Sequence, residues 1–100
     1  MSTKELIIDK LKRELPYLKQ KFKIKRIGLF GSYIKGEQRD DSDVDIFTEF
    51  EKPIGLEFMD LIDYLEKLLG KKVDIITPEG INSIRIEEVA RNIERSIVYV

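Results

Sequence analysis

The segment Asp43–Phe50, which reads DVDIFTEF, constrains the fold of this chain more than any other stretch. It alternates like a β-strand, yet two side chains on one of its faces are carboxylates. Asp43 and Asp45 share that face, and Val44 and Ile46 share the other. Placing charge beside a core costs free energy unless something compensates it. The strand therefore needs a position where its carboxylates meet a cation, a proton or solvent.

The composition excludes several kinds of chemistry. The 100 residues, 42% of them hydrophobic, suit one domain, residues 1–100, with a single core. Cysteine and histidine are absent, which excludes disulfides, thiol metal sites and a histidine base. A formal net charge of −1 is not the basic excess of a DNA- or RNA-binding module. Without a membrane-length apolar run or a signal peptide, we expect a soluble cytoplasmic protein.

Hydrophobic periodicity predicts the order α-β-α-β-α-β-α, an α/β or α+β fold in which helices cover a small sheet. Ser2 or Thr3 is expected to cap the first helix, and Pro16 is expected to end or kink it or to open a short second helix through Phe22. The closing segment SIVYV is expected to add a terminal strand to the sheet, with a partner contact as the alternative.

The other predicted elements follow from the same patterns. Strands are expected at Lys23–Phe30, Asp43–Phe50 and Lys71–Thr77. Helices are expected from Ser32 to about Lys35, from the turn KPIG to Leu69 with Gly70 as the C-terminal cap, and from about Ser83 to Arg95. Pro78 and Gly80 are interpreted as a turn.

A third carboxylate, Asp74, lies between Val73 and Ile75 in the next predicted strand. If the second and third strands are neighbours, Asp74 converges with Asp43 and Asp45 on one face. Adjacent anionic carboxylates repel each other, so either one is protonated or a cation lies between them. Without His or Cys ligands, that cation would be hard and oxygen-binding, Mg²⁺ or Mn²⁺.

Simpler roles for these acids remain open. An aspartate at a strand edge is often only a solvated turn residue, and Lys71 or Lys72 could pair with Asp74. Glu49 and Glu51 are interpreted as solvated, or as strand-end charges that discourage edge pairing. The acids alone do not identify a site.

The pair Gly31-Ser32 follows a predicted strand and is expected to open a helix. A helix N-terminus offers free N–H groups, glycine allows close approach of a ligand, and the serine hydroxyl adds a donor. This arrangement suits a phosphate chain, although a serine cap after a glycine turn is the simpler interpretation. Gly-Ser, ten residues and Asp-x-Asp, with a third Asp on a later strand, together indicate phosphoryl or nucleotidyl transfer.

The stretch GLFGSYIKGEQRDDSDVDIFTEFE resembles the signature of the nucleotidyltransferase superfamily that includes DNA polymerase beta. The resemblance is closest to its smallest branch, the minimal nucleotidyltransferases or MntA-like antitoxins. LGKKVDIITPEG resembles the third-strand segment of that branch, and SIVYV resembles its C-terminus. The resemblance implies a polymerase beta-like fold with a small mixed sheet packed with helices.

The resemblance also implies roles for individual residues. Gly31 and Ser32 would hold the nucleoside triphosphate, and Asp43 and Asp45 would bind two Mg²⁺ ions. Asp74 would ligate one ion and accept the proton of a hydroxyl that attacks the α-phosphorus of ATP. Many family members have Arg where this chain has Lys35 before Gly36, and lysine keeps the charge without the bidentate fork. We interpret Lys35 as solvated.

A protein partner is implied as well. The chain is too short for a substrate-binding domain of its own, so another molecule has to present the acceptor hydroxyl. In the antitoxin branch that molecule is a HEPN-domain ribonuclease toxin, and AMP is transferred to one of its tyrosines. The alternatives are an antitoxin that neutralises its partner by binding alone, and a nucleotidyltransferase with a small-molecule or RNA-end acceptor.

Overall fold

The computed structural model describes residues 3–31 and 43–100. Its strands are β1 (Ile24–Phe30), β2 (Val44–Phe50), β3 (Val73–Ile76) and β4 (Val98–Tyr99). Its helices are α1 (Thr3–Phe22), α2 (Glu57–Leu69), α3 (Pro78–Asn82) and α4 (Glu87–Ser96). The helix predicted from Ser32 and the polar loop after it lie outside the described residues. None of the described helices is long and apolar enough to cross a membrane.

The four strands form one mixed sheet in the order β3-β2-β1-β4. β1 is antiparallel to both β2 and β4, whereas β2 and β3 are parallel. This confirms the predicted fold class, and the closing segment does add a strand, with Gly28 opposite Tyr99. A Cβ atom on Gly28 would lie 2.6 Å from Ile97 Cγ2 and 2.9 Å from the Val98 carbonyl oxygen. Only glycine therefore lets β4 approach β1 so closely.

Helices cover both faces of the sheet. The larger core lies under α1 and α2, where Leu11, Leu18, Leu61 and Leu65 are fully buried against the sheet residues Ile24, Ile27, Leu29, Val44 and Ile46. The smaller core lies under α3 and α4 and joins Phe47, Ile81, Ala90 and Ile97. The alternation of β2 thus contributes Val44 and Ile46 to one core and Phe47 to the other.

Helix α2 ends as its sequence predicts. Gly70 adopts a left-handed conformation with φ 68°, and its N–H donates to the Glu66 carbonyl at 2.8 Å. Glycine takes this conformation at little steric cost. The Glu66 side chain also accepts a hydrogen bond from the Val73 N–H at 3.0 Å, which joins the end of α2 to the start of β3.

Pro16 does not end the first helix, because α1 continues through it to Phe22. Proline removes one intrahelical hydrogen bond and strains the preceding turn. Leu18 and Phe22 in the continued helix are buried in the larger core, and their burial offsets that cost. The helix ends at Phe22, and Lys23 directly after it has a φ of 58°.

Two predictions near the C-terminus are wrong. Pro78 and Gly80 belong to the helix α3 rather than to a turn, because Thr77 Oγ1 accepts the Gly80 N–H at 3.2 Å and caps it. The last helix begins at Glu87 rather than near Ser83. Ser83 instead closes α3, since its hydroxyl donates to the Gly80 carbonyl at 2.7 Å.

Candidate functional site

Asp45 and Asp74 lie side by side on neighbouring strands. They are partners in the parallel register of β2 and β3, so their side chains point to the same face of the sheet. Neighbouring strands are about 4.8 Å apart. Asp45 is half-buried and Asp74 is exposed. The expectation that the second and third strands are adjacent is therefore confirmed, and it brings these two carboxylates together.

Asp43 stands immediately before β2 and is exposed. Strand alternation places it on the same face as Asp45. The Val44 N–H donates to the Lys72 carbonyl at 2.9 Å, so the backbone pairing of the two strands already begins beside Asp43. All three aspartates thus lie at the end of the sheet where β2 and β3 start.

Gly31 completes this end of the sheet from the side of β1. Phe30, the last residue of β1, is paired with Asp45. Gly31 has a φ of 79°, and a Cβ atom on it would collide with the Asp45 carboxylate, 2.8 Å from its Cγ and closer still to Oδ2. Conformation and space both require glycine here. Ser32, the other residue expected to bind phosphate, lies outside the described residues.

The aspartates differ in their surroundings. Asp45 and Lys71 each interact with another group. Asp43 and Asp74 do not belong to the ion pairs of the described ranges that join Asp9 to Arg13, Arg26 to Glu49, Asp63 to Lys67 and Arg91 to Glu94. Within residues 3–31 and 43–100, no group of three or more carboxylates is arranged to hold a metal ion. The register aligns the backbone positions, while the side chains do not close around one point.

The donor set nevertheless suits a hard cation. Carboxylate oxygens are the ligands that Mg²⁺ prefers, and Mg²⁺ is commonly held by one or two protein carboxylates together with waters and substrate phosphates. Asp45 and Asp74 provide that number in register, and Asp43 adds a third from the same face. These three carboxylates are therefore the candidates for a cation site.

Sequence reasoning missed a cluster around Arg26 on the same face. Glu49, interpreted as solvated, is opposite Arg26 in the antiparallel register and accepts its Nε–H at 2.5 Å. The guanidinium lies 4.9 Å from the centre of the Tyr99 ring and 5.7 Å from that of Phe47. Opposite charges that face each other across two strands would have indicated this pair, but they can be recognised only once the register of β1 and β2 is known.

Among the described residues, two cavities lie towards the C-terminal end of β2, the opposite end of the strand from Asp43 and Asp45. The larger, about 510 Å³, is formed by the C-terminal end of β2, the turn after it and the starts of α2 and α3. The smaller, about 250 Å³, lies beside Arg26, Phe47 and Tyr99. Neither cavity is lined by Asp43, Asp45 or Asp74. Among the described residues, the candidate catalytic aspartates therefore lie apart from both cavities.

Comparison with known proteins gives a consistent result. The family model described as "Nucleotidyltransferase domain" matches residues 9–100. A relative from Methanocaldococcus jannaschii, provisionally named protein adenylyltransferase MJ1379, is 44% identical over the full length of both chains. The protein adenylyltransferase MntA of Thermococcus cleftensis is 41% identical over 96% of this chain and 91% of its own length.

Solved structures show the same fold. One provisionally described as a minimal nucleotidyltransferase superimposes with a TM-score of 0.71 at 27% identity, covering 98% of this chain and 95% of the other. A toxin-antitoxin structure with AMP-PNP gives 0.62 at 24% identity, covering 96% and 70%. A tri-AMPylated Shewanella oneidensis HEPN toxin in complex with an MNT antitoxin gives 0.54 at 20%, covering 97% and 67%.

Proposed function

Because this chain belongs to the nucleotidyltransferase domain family, we propose that it transfers AMP from ATP to a tyrosine hydroxyl of a HEPN-type ribonuclease toxin and so acts as an antitoxin. The observation that carries the proposal is the register that sets Asp45 beside Asp74, with Gly31 against Asp45. The names of the relatives support protein as the acceptor, and the AMP-PNP and HEPN complexes support the nucleotide and the partner.

The proposed chemistry divides among residues at one end of the sheet. Asp43, Asp45 and Asp74 would hold two Mg²⁺ ions, with Mn²⁺ as a substitute. When bound, the ions neutralise charge on the phosphates and make the attacking hydroxyl more acidic. Gly31 and Ser32 hold the triphosphate and keep its α-phosphorus in line with the acceptor oxygen. The tyrosine oxygen forms a bond to the α-phosphorus, the bond from the α-phosphorus to the β-phosphate oxygen breaks, and pyrophosphate leaves.

Asp74 is the residue proposed to receive the proton of the tyrosine hydroxyl. Its exposure supports this role, because a hydroxyl on another protein can reach it from solvent. A base must come within hydrogen-bond reach of the proton that it removes. A carboxylate can serve here without histidine, since the hydroxyl that it deprotonates is acidified. Asp43 is exposed as well, which also suits an acceptor that another protein presents.

The test uses the purified protein, a candidate HEPN-domain toxin, Mg²⁺ and ATP labelled on the α-phosphate. We expect the label to appear on a toxin tyrosine and toxin ribonuclease activity to fall. Asp43→Asn with Asp45→Asn should abolish the label, whereas Asp63→Asn should retain it, because Asp63 forms a surface ion pair with Lys67 on α2. Absence of label with the wild-type protein would contradict the proposal.

One observation favours a second candidate, neutralisation by binding alone. In the described residues, no three carboxylates are arranged to hold a metal ion. If the Asp43→Asn/Asp45→Asn variant neutralises the toxin as completely as the wild-type protein does, binding is sufficient and transfer is not the antitoxin activity. If neutralisation is lost together with the label, the catalytic function stands.

A further inference from the structure

The segment Pro53–Met59, which reads PIGLEFM, exposes apolar side chains in a chain that is otherwise rich in charge. Leu56 is 87% exposed and Met59 is 65% exposed. Leu56 precedes the first residue of α2 and makes no side-chain capping bond. Neither packing nor capping therefore explains a leucine at this position. Adjacent exposed apolar residues of this kind mark interaction sites.

The larger cavity lies beside these residues. Its apolar lining includes Phe50, Pro53, Ile54 and Phe58. The rings of Phe50 and Phe58 pack edge to face, with their centres 6.4 Å apart, and form a preformed aromatic wall. A small ligand in this cavity would leave Leu56 exposed outside it. A protein segment could fill the cavity and cover Leu56 and Met59 at once.

Charge at the rim of the cavity defines the partner further. Glu51 and Glu79 line it and are exposed, with Lys52 as the basic residue among its lining. Glu49 also lines it but is already paired with Arg26. Glu51 and Glu79 outnumber Lys52, so the rim of the cavity is acidic. Complementary charge favours a partner segment that carries Lys or Arg beside its apolar residues.

Combining these observations, we propose that the cavity and Pro53–Met59 form a docking surface for a basic amphipathic segment of the protein that accepts AMP. The inference rests on the proposed function for the identity of that protein. The surface lies at the C-terminal end of β2, five residues along the strand from Asp45, or about 17 Å at strand rise. A partner held there can extend across the sheet to present its tyrosine at the aspartates. Docking then governs how tightly the acceptor binds, and the aspartates govern the chemical step.

The test measures binding of the HEPN toxin to the Asp43→Asn/Asp45→Asn protein, in which the toxin stays unmodified. Adding Leu56→Ser and Met59→Ser should raise Kd about tenfold, the effect expected of anchor residues at an interface. In the protein that keeps Asp43 and Asp45, Leu56→Ser with Met59→Ser should raise KM for the toxin about tenfold and leave kcat within about twofold. Both residues are exposed and serine is a good capping residue, so the fold should be retained, as thermal melting will check.

Leu6→Ser on α1 provides the matched control, because Leu6 is also an exposed large apolar residue at 46%. Glu51→Lys with Glu79→Lys should weaken binding and reduce its salt dependence, whereas Glu88→Lys on α4 should not. Toxin binding that is unaffected by the Leu56 and Met59 substitutions would overturn the docking surface and leave the proposed function intact. A third outcome combines two results: the Leu56 and Met59 substitutions weaken toxin binding, but the wild-type protein transfers no AMP to the toxin. That outcome would overturn the proposed function alone. No toxin binding by the wild-type chain would overturn both.

Discussion

The two faces of strand β2 differ in what their residues do. On one face, Val44, Ile46 and Thr48 are fully buried beneath α1 and α2. On the other, Asp45 is half-buried and paired in register with the exposed Asp74. One strand therefore supplies alternate residues to the core and to the candidate active site. Substitutions of Val44 or Ile46 should change stability, and substitutions of Asp45 should change activity, although Phe47 on the same face as Asp45 belongs to the smaller core.

The largest loss of stability is expected from truncating a buried leucine of α2. Leu65 is fully buried in the larger core, so Leu65→Ala removes packing and leaves a cavity. We expect a loss of about 3 kcal/mol in the free energy of unfolding, measured by denaturant titration. AMP transfer per folded molecule should be unchanged at a temperature where the variant is folded. A loss below about 1 kcal/mol would contradict the assignment of this face to the core.

Substitution of Gly31 tests the contact between the end of β1 and the Asp45 carboxylate. Gly31→Ala should cost about 2 kcal/mol and also abolish transfer, because the new Cβ collides with the Asp45 carboxylate and φ is positive. Gly70→Ala is the matched control. Gly70 has a similar φ of 68° but nothing within 4 Å, so it should cost about 1 kcal/mol and leave transfer intact. Equal effects of the two alanines on transfer would show that contact with Asp45 is unimportant.

Thr48 is the polar exception on the buried face. Its Oγ1 is buried and has no hydrogen-bond partner among the described residues. Thr48→Val keeps the shape and removes the unsatisfied hydroxyl, so we expect a gain of about 1 kcal/mol in the free energy of unfolding. Thr77→Val should instead destabilise, because the Thr77 hydroxyl caps α3. A destabilised Thr48→Val variant would indicate that the hydroxyl does have a partner.

The smallest effect is expected where α1 meets α2. The Tyr64 hydroxyl donates to Glu14 Oε1, and this hydrogen bond, with partial burial and the negative charge of Glu14, raises the pKa of Tyr64 to about 12. The ordinary value is 10.0, so the stabilisation is complete below pH 10 and is lost as pH rises towards 12. Tyr64→Phe should cost less than about 1 kcal/mol near neutral pH.

Urea titrations of both proteins across this range check that linkage. The difference between wild type and Tyr64→Phe should shrink as pH rises above about 10. A difference that is constant with pH would show that the Glu14 hydrogen bond contributes nothing.

Alternation and short motifs made much of the fold and site predictable. They located β1, β2, α2 and the Gly70 cap, because each depends on neighbours in the sequence. The shared face of Asp45 and Asp74 was predicted only on condition that β2 and β3 are adjacent, which the parallel register confirms. The helix α3 was not predictable, since Pro78 and Gly80 are equally typical of a turn. Its formation depends on the Thr77 cap and on burial of Ile81 beneath the sheet.

Contacts between distant segments account for the other differences. The pairing of Arg26 with Glu49 depends on the register between β1 and β2, which no local pattern supplies. The continuation of α1 past Pro16 depends likewise on the core that receives Leu18 and Phe22. Asp43, Asp45 and Asp74 remain predicted ligands, because their strand positions are described but their roles await experiment.

The central claim is that Asp74 acts together with Asp45 as one catalytic face. Transfer of labelled AMP from ATP to the HEPN toxin by the Asp74→Asn protein tests it most directly, with Asp63→Asn as the control. The account predicts at least a roughly thousandfold loss of transfer for Asp74→Asn, about 4 kcal/mol in activation free energy, with stability unchanged. Transfer by Asp74→Asn within about twofold of the wild-type rate would contradict it.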